Sequence, residues 1–188
     1  MNIKDFIVVL PNAIDNKLCD EIVKTFEKSK EWDNAVCGPD SAYHPEVRNC
    51  NIIDITKPRS KKFATKKREK IDQQVFEVVT AAVRSYINKH PRLSFINYDE
   101  GYQLMRYKEG EKVTNHIDVG SRDHRVLTCS LQLNDNFKGG EWVFFGDTKI
   151  KVNKGDAVLF PSNFCFDHEV TPIEEGIRYS ILTFLGCK

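Results

Sequence analysis

His116 and Asp118 stand two residues apart in Thr114-Asn115-His116-Ile117-Asp118, a spacing that on a strand sends both side chains to the same face. Alone, a His-x-Asp pair more often serves surface hydrogen bonding or capping. It acquires chemistry once a third ligand joins it, and His168, fifty residues beyond Asp118, is the candidate. Two imidazoles and one carboxylate on one triangular face suit non-haem Fe(II) and leave three positions open, enough for a bidentate cosubstrate and dioxygen.

Ten residues after His168 comes Arg178. Ile177, Tyr179 and Ile181 alternate with Arg178, Ser180 and Leu182, so Arg178 and Ser180 share one strand face. A guanidinium directed into a barrel is costly unless it meets an anion, and its planar fork matches a carboxylate. A strand-edge arginine pointing to solvent is the plainer alternative. Thr128, Ser130 and Gln132 likewise share a face amid Val126, Leu127, Leu131 and Leu133. They either line an interior, where polar groups need partners, or form a solvent-facing stripe.

The elements that must hold these residues are short and β-rich from Tyr102 onward: Tyr102 to Tyr107, Val126 to Leu133, Trp142 to Phe145, Thr148 to Val152, Ala157 to Phe160, His168 to Thr171, and Ile177 to Leu185. Asn134-Asp135, Gly139-Gly140 and Asn153-Lys154-Gly155-Asp156 punctuate them as turns. Upstream, Phe6 to Leu10 reads as a strand closed by Pro11. Asp15 caps a helix carrying Leu18, Ile22, Val23 and Phe26, with Ile14 stapling its entry. Glu31 to Pro45, with Gly38 and Pro39, reads as irregular loop, and Asn51 to Ile55 as a strand. A second helix carries Ile71, Val75, Val78, Val79, Ala82, Val83, Tyr86 and Ile87 and ends at His90-Pro91. Two helices followed by many short strands predict an α+β, mainly β chain: an antiparallel sandwich or barrel with the helices packed on one sheet. A single domain over 1–188 is expected, with 1–100 as a strand-helix support region and 101–188 as the catalytic β-core.

The 188 residues carry a net charge of +1, so nothing global argues for nucleic acid, an anionic membrane or an acidic partner. The basic run from Lys57 to Lys70 could touch nucleic acid, but Phe63 is the one aromatic within it. It reads as a solvated loop and the first turns of a helix, and no nucleic-acid partner is expected. The six scattered cysteines form no C-x-x-C pair and read as reduced thiols. No apolar stretch reaches membrane-spanning length, and the first is too short for a signal segment, so a cytoplasmic location with no membrane partner is expected.

The order Tyr107, Gly110, His116-x-Asp118, Arg125, Thr128, Asn134-Asp135, Gly139-Gly140, Gly155, Phe160, His168, Arg178 resembles the catalytic domain of the prolyl-4-hydroxylase-like Fe(II)/2-oxoglutarate dioxygenases. The resemblance covers Tyr102 to Leu185 closely and the N-terminal strand-helix arrangement loosely. It implies a double-stranded β-helix, the jelly-roll or cupin-like fold. It implies Fe(II) on His116, Asp118 and His168, and 2-oxoglutarate anchored by Arg178 and Tyr107 with Thr128, Gln132 and Ser180 lining the cosubstrate pocket. O2 is the co-oxidant and ascorbate an accessory reductant. Arg125, Trp142 and Phe184 fall on the substrate side.

The implied activity is hydroxylation coupled to decarboxylation of 2-oxoglutarate to succinate, with a peptidyl-prolyl 4-hydroxylase as the default and a protein, peptide or small molecule as acceptor. The alternatives are a dioxygenase of a non-prolyl acceptor and a non-catalytic cupin-like module holding a metal such as zinc. Val113 stands where prolyl hydroxylases commonly carry a tyrosine, Trp142 where a threonine follows Gly-Gly-Glu, and Phe184 where a tryptophan is common, so the substrate is less specified than the chemistry. His44, His90 and His124 match no ligand position.

Overall fold

The computed structural model describes residues 2–37, 42–119 and 124–187. In chain order its strands are β1 (Val8–Leu10), β2 (Asp33–Asn34), β3 (Asn51–Asp54), β4 (Tyr98–Asp99), β5 (Gln103–Tyr107), β6 (Val113–His116), β7 (Arg125–Gln132), β8 (Phe137–Gly139), β9 (Trp142–Phe144), β10 (Thr148–Ile150), β11 (Ala157–Pro161), β12 (His168–Val170), β13 (Ile173–Gly176) and β14 (Arg178–Gly186). The helices are α1 (Asn16–Phe26) and α2 (Lys66–Lys89). Among the described residues, the larger sheet has the order β1-β11-β7-β14-β5-β3-β2, with β4 also on β14. The smaller sheet has the order β10-β9-β12-β6, and β8 and β13 form a separate ribbon. All pairings between strands are antiparallel. From β5 onward the chain passes back and forth between the two sheets, which is the double-stranded β-helix.

Period-two alternation divides the larger sheet into two apolar faces. Leu104, Leu131, Leu159 and Ile181 turn outward, where Cys19, Ile22 and Phe26 of α1 and Ile71, Val75, Val79 and Tyr86 of α2 cover them. Met105, Tyr107, Val158, Phe160 and Leu182 turn inward and meet Val113, Trp142, Phe144 and Val170 of the smaller sheet. The helices begin where polar residues can satisfy free amides: Asp15 accepts from the Lys17 amide at 2.8 Å and Thr65 from the Arg68 amide at 3.2 Å.

Three expectations need correction. Phe6 lies in a short 3-10 turn, so the first strand begins only at Val8. Within the Glu31–Pro45 loop, Asp33 and Asn34 pair with Ile52 and Asn51; Gly38 and Pro39 lie outside the described residues. The basic run is not uniformly solvated, because Arg68 is buried against Glu31 at 2.5 Å. Arg68 also donates to the carbonyl of Ile55 at 2.7 Å and to that of Asp54. Elsewhere in the run the bland reading holds: Arg59 meets Asp33 and Lys67 meets Glu21, both at exposed positions. Among the described residues, no helix is long and apolar enough to cross a membrane.

Candidate active site

The smaller sheet brings two histidines to one rung. His168 of β12 is directly opposite His116, the last residue of β6, and on its other side opposite Phe144 of β9. Asp118 lies in the bend just past β6 rather than on the strand, and that bend turns its carboxylate back between the rings. Asp118 Oδ1 is 3.4 Å from His116 Nε2, and Oδ2 is 3.7 Å from His168 Nε2. One ligand atom from each of the three lies within 4.8 Å of the others.

Backbone carbonyls orient both rings. His116 Nδ1 is 2.9 Å from the Thr114 carbonyl and His168 Nδ1 is 3.0 Å from that of Phe166. With the Nδ1 protons given to those carbonyls, each Nε2 lone pair faces Asp118 and is free for a cation. Thr128 donates its hydroxyl proton to Asp118 Oδ2 at 2.6 Å, so in the 2.8 Å contact between Thr128 and Ser162 it is Ser162 that donates. Burial alone would raise the Asp118 pKa, yet the hydrogen bond and charge His116 offers when protonated, the charge of a protonated His168 and the Thr128 hydroxyl hold it at about 2. Burial moves His168 the other way, below the ordinary imidazole value, which favours the neutral ring that a metal needs. A carboxylate and two imidazoles whose Nε2 atoms face it form a donor set that fits a divalent metal with open positions.

Deeper in the interior, Arg178 opens β14 opposite Tyr107 of β5. It is 1% exposed. Its Nη1 donates to Ser180 Oγ at a long 3.3 Å, and its Nη2 has no partner. The guanidinium carbon lies 5.3 Å from the Tyr107 ring and 5.7 Å from the Trp142 ring. A buried guanidinium with an orphaned nitrogen has the chemistry to receive a carboxylate. Gly140 makes room for its stem, since a Cβ there would sit 3.0 Å from Arg178 Cδ and 2.5 Å from Ile173 Cδ1.

The remaining expected residues are placed as follows. Thr128 and Gln132 are buried, which excludes the solvent-facing stripe. Thr128 holds Asp118, and Gln132 Nε2 is committed to the carbonyls of Asn134 and Tyr179 at 2.9 and 3.1 Å. Trp142 stacks near His168 with ring centroids 5.5 Å apart and reaches toward Arg178, so it walls the interior rather than the rim. Arg125 lies on Phe184, 3.6 Å from its ring centroid. The same guanidinium is bidentate to Glu100 at 2.7 Å and donates to the Asp118 carbonyl at 2.9 Å. Sequence reasoning did not single out Glu100, Ser162, Gly140 as the Arg178 cradle, or Arg48 and Cys50 beside Tyr107. For Gly140 the adjacent glycines were the available signal; the others come from loops whose approach no spacing encodes.

Residues 102–186 match the family model of the 2OG-Fe(II) oxygenase superfamily. A PKHD-type hydroxylase of Alteromonas mediterranea is 30% identical over 93 residues, 43% of this chain and 40% of that protein. The PKHD-type hydroxylase YbiX of Escherichia coli O1:K1 is 35% identical over 85 residues, 39% of this chain and 37% of its own length. The matched segment thus spans about two-fifths of these relatives. Among solved structures, a Trichoplax adhaerens prolyl hydroxylase in complex with a hypoxia inducible factor peptide superposes with a TM-score of 0.77 at 20% identity, over 96% of this chain and 83% of that one. The viral collagen prolyl hydroxylase of Paramecium Bursaria Chlorella virus-1 in its 2OG complex gives 0.69 at 19% identity, over 97% of each chain.

Proposed function

We propose that the chain is a prolyl-4-hydroxylase-like 2OG-Fe(II) oxygenase, a hydroxylase taking Fe(II), 2-oxoglutarate and O2 with peptidyl proline as its acceptor. The carrying observation is the pairing of a His116-Asp118-His168 cluster with the partnerless Arg178 guanidinium in one interior. A structural metal site would have no use for the second feature. The prolyl assignment is supported by the prolyl hydroxylases among the solved structures, one of them in complex with a peptide.

His116, Asp118 and His168 would hold the iron. Bound there, iron supplies the oxidative chemistry that converts 2-oxoglutarate and O2 to succinate and CO2 and adds one oxygen atom to the acceptor. The protein's share is positional. The Thr114 and Phe166 carbonyls fix the imidazole tautomers, and Thr128 keeps Asp118 ionised and aimed. Arg178, with Ser180 beneath it and the Tyr107 hydroxyl beside it, would grip the far carboxylate of 2-oxoglutarate. Trp142, Phe144 and Phe160 pack around His168 and keep water from that side of the metal cluster. The cysteines among the described residues are all free thiols, which supports a reducing compartment such as the cytoplasm.

The decisive experiment compares the parent with His116→Ala and Asp118→Ala. Parent protein mixed anaerobically with Fe(II) and 2-oxoglutarate is expected to develop a visible charge-transfer band and, in air with acceptor, to release succinate. Both variants are expected to lose both signals; turnover at the parental rate would remove these residues from the metal site. A peptide and metabolite panel read by mass for a gain of one oxygen then identifies the acceptor, and labelling of a non-prolyl compound alone would overturn the prolyl assignment.

A further inference from the structure

A second guanidinium reaches the interior beside Tyr107. Residues 47–49 run along the free edge of β6: Arg48 is bridged to Val113, and the Thr114 amide donates to the Val47 carbonyl at 2.9 Å. From that edge the Arg48 side chain enters the interior, where Nη2 lies 3.3 Å from the thioether sulfur of Met105. Its Nε is shut away from water with no hydrogen-bond partner. The groups facing its charge are Cys50, Tyr107 and Asp118. A thioether is a weak acceptor, and burial keeps the Cys50 thiol and the Tyr107 phenol protonated, so both are neutral. The one anion, Asp118, already belongs to the metal cluster.

Charge balance shows what is missing. A divalent iron, the Asp118 carboxylate, the Arg178 guanidinium and doubly charged 2-oxoglutarate cancel. Arg48 adds one positive charge that nothing in this set neutralises, in surroundings where an unpaired charge is costly. Its position favours the acceptor as the source of the missing anion. Arg178 is fully buried, whereas Arg48 is only partly buried and lies along the strand that ends in His116, whose side chain is 31% exposed on the open side of the cluster.

We propose that Arg48 is a specificity-determining residue that binds a carboxylate carried by the acceptor, an inference that rests on the oxygenase reading above. In a prolyl acceptor that carboxylate would be a chain terminus or a neighbouring acidic side chain.

The test uses the full chain loaded with Mn(II) and saturated with 2-oxoglutarate. The probes are N-acetyl-L-proline and N-acetyl-L-prolinamide, whose proton relaxation reports their approach to the paramagnetic ion. The carboxylate probe is expected to bind about 10- to 100-fold more tightly than the amide, the range of one charge-assisted hydrogen-bonded contact. Arg48→Gln is expected to abolish that preference while retaining 2-oxoglutarate binding, which also shows that the variant is folded; Arg48→Lys is expected to restore part of it. Equal binding of the two probes, approach of neither, or a preference that survives in Arg48→Gln overturns the proposal. So does a selective loss of 2-oxoglutarate affinity in Arg48→Gln, which would put the guanidinium on the cosubstrate. If the Mn(II)-loaded parent itself binds no 2-oxoglutarate, the oxygenase reading is what fails.

Discussion

Arg178 and Gly140 are one device at the scale of single residues. The guanidinium stem occupies space that any side chain at 140 would claim, and Gly140 also holds a φ of +63°, which L side chains rarely adopt. Gly140→Ala is therefore expected to displace Arg178 rather than the metal ligands, which lie on β6, on β12 and in the bend after β6. The 2-oxoglutarate requirement should rise by about tenfold or more, the loss of a charge-assisted contact, while Mn(II) affinity stays near the parent's. Titrating both ligands by calorimetry checks this, and equal losses for metal and cosubstrate would mean general damage instead. Arg178→Met, which keeps the stem and removes the charge, is expected to reproduce the cosubstrate defect without the strain.

At the scale of elements, α2 is anchored by an ion pair as well as by its apolar stripe. The side chains of Arg68 and Glu31 are each 4% exposed, and Arg68 also satisfies carbonyls at the end of β3 and just beyond it. Glu31→Ala leaves that guanidinium buried without its counter-charge, and the expected cost is about 3–5 kcal/mol. Urea denaturation measures it, and a loss below about 1 kcal/mol, as for an exposed pair, would show that Arg68 escapes to water. The pair illustrates what the sequence conceals. Helices α1 and α2 and the strands carrying Leu104, Leu131, Leu159 and Ile181 were legible because burial repeats at their own period. His116, Asp118, His168 and Arg178 were legible through their types, spacing and family resemblance. Arg68 was hidden among exposed basic neighbours, and Glu31 lay in a loop whose path depends on tertiary contacts. Strands β8 and β13 were hidden too, since Phe-Lys-Gly and Ile-Glu-Glu-Gly carry almost no alternation and form a small ribbon of their own. For the same reason Glu100 and Arg48 reach the interior without any periodic signal.

For the whole molecule, the buried thiols contribute to the alkaline limit. Burial pushes Cys19 to about 11 and Cys129 to about 12. A pKa raised in the folded state means that the native chain holds a proton that the unfolded chain releases, so stability is fully present below about pH 9 and declines as pH rises from there toward 11 or 12. Thermal midpoints measured from pH 7 to 11 are expected to stay level and then fall, with Cys129→Ala shallower at the alkaline end; an identical slope in that variant would assign the decline to other groups. His116 and His168 also stand at a joint of the barrel. They face one another on a single rung between β6 and β12, strands separated in the chain by β7 to β11. A slip of one residue would turn one imidazole out of the barrel. An ion bridging that rung would therefore act as a register pin, coupling iron supply to correct closure of the chain. Hydrogen exchange of the β6 and β12 amides should then slow on Mn(II) binding well before 2-oxoglutarate is added.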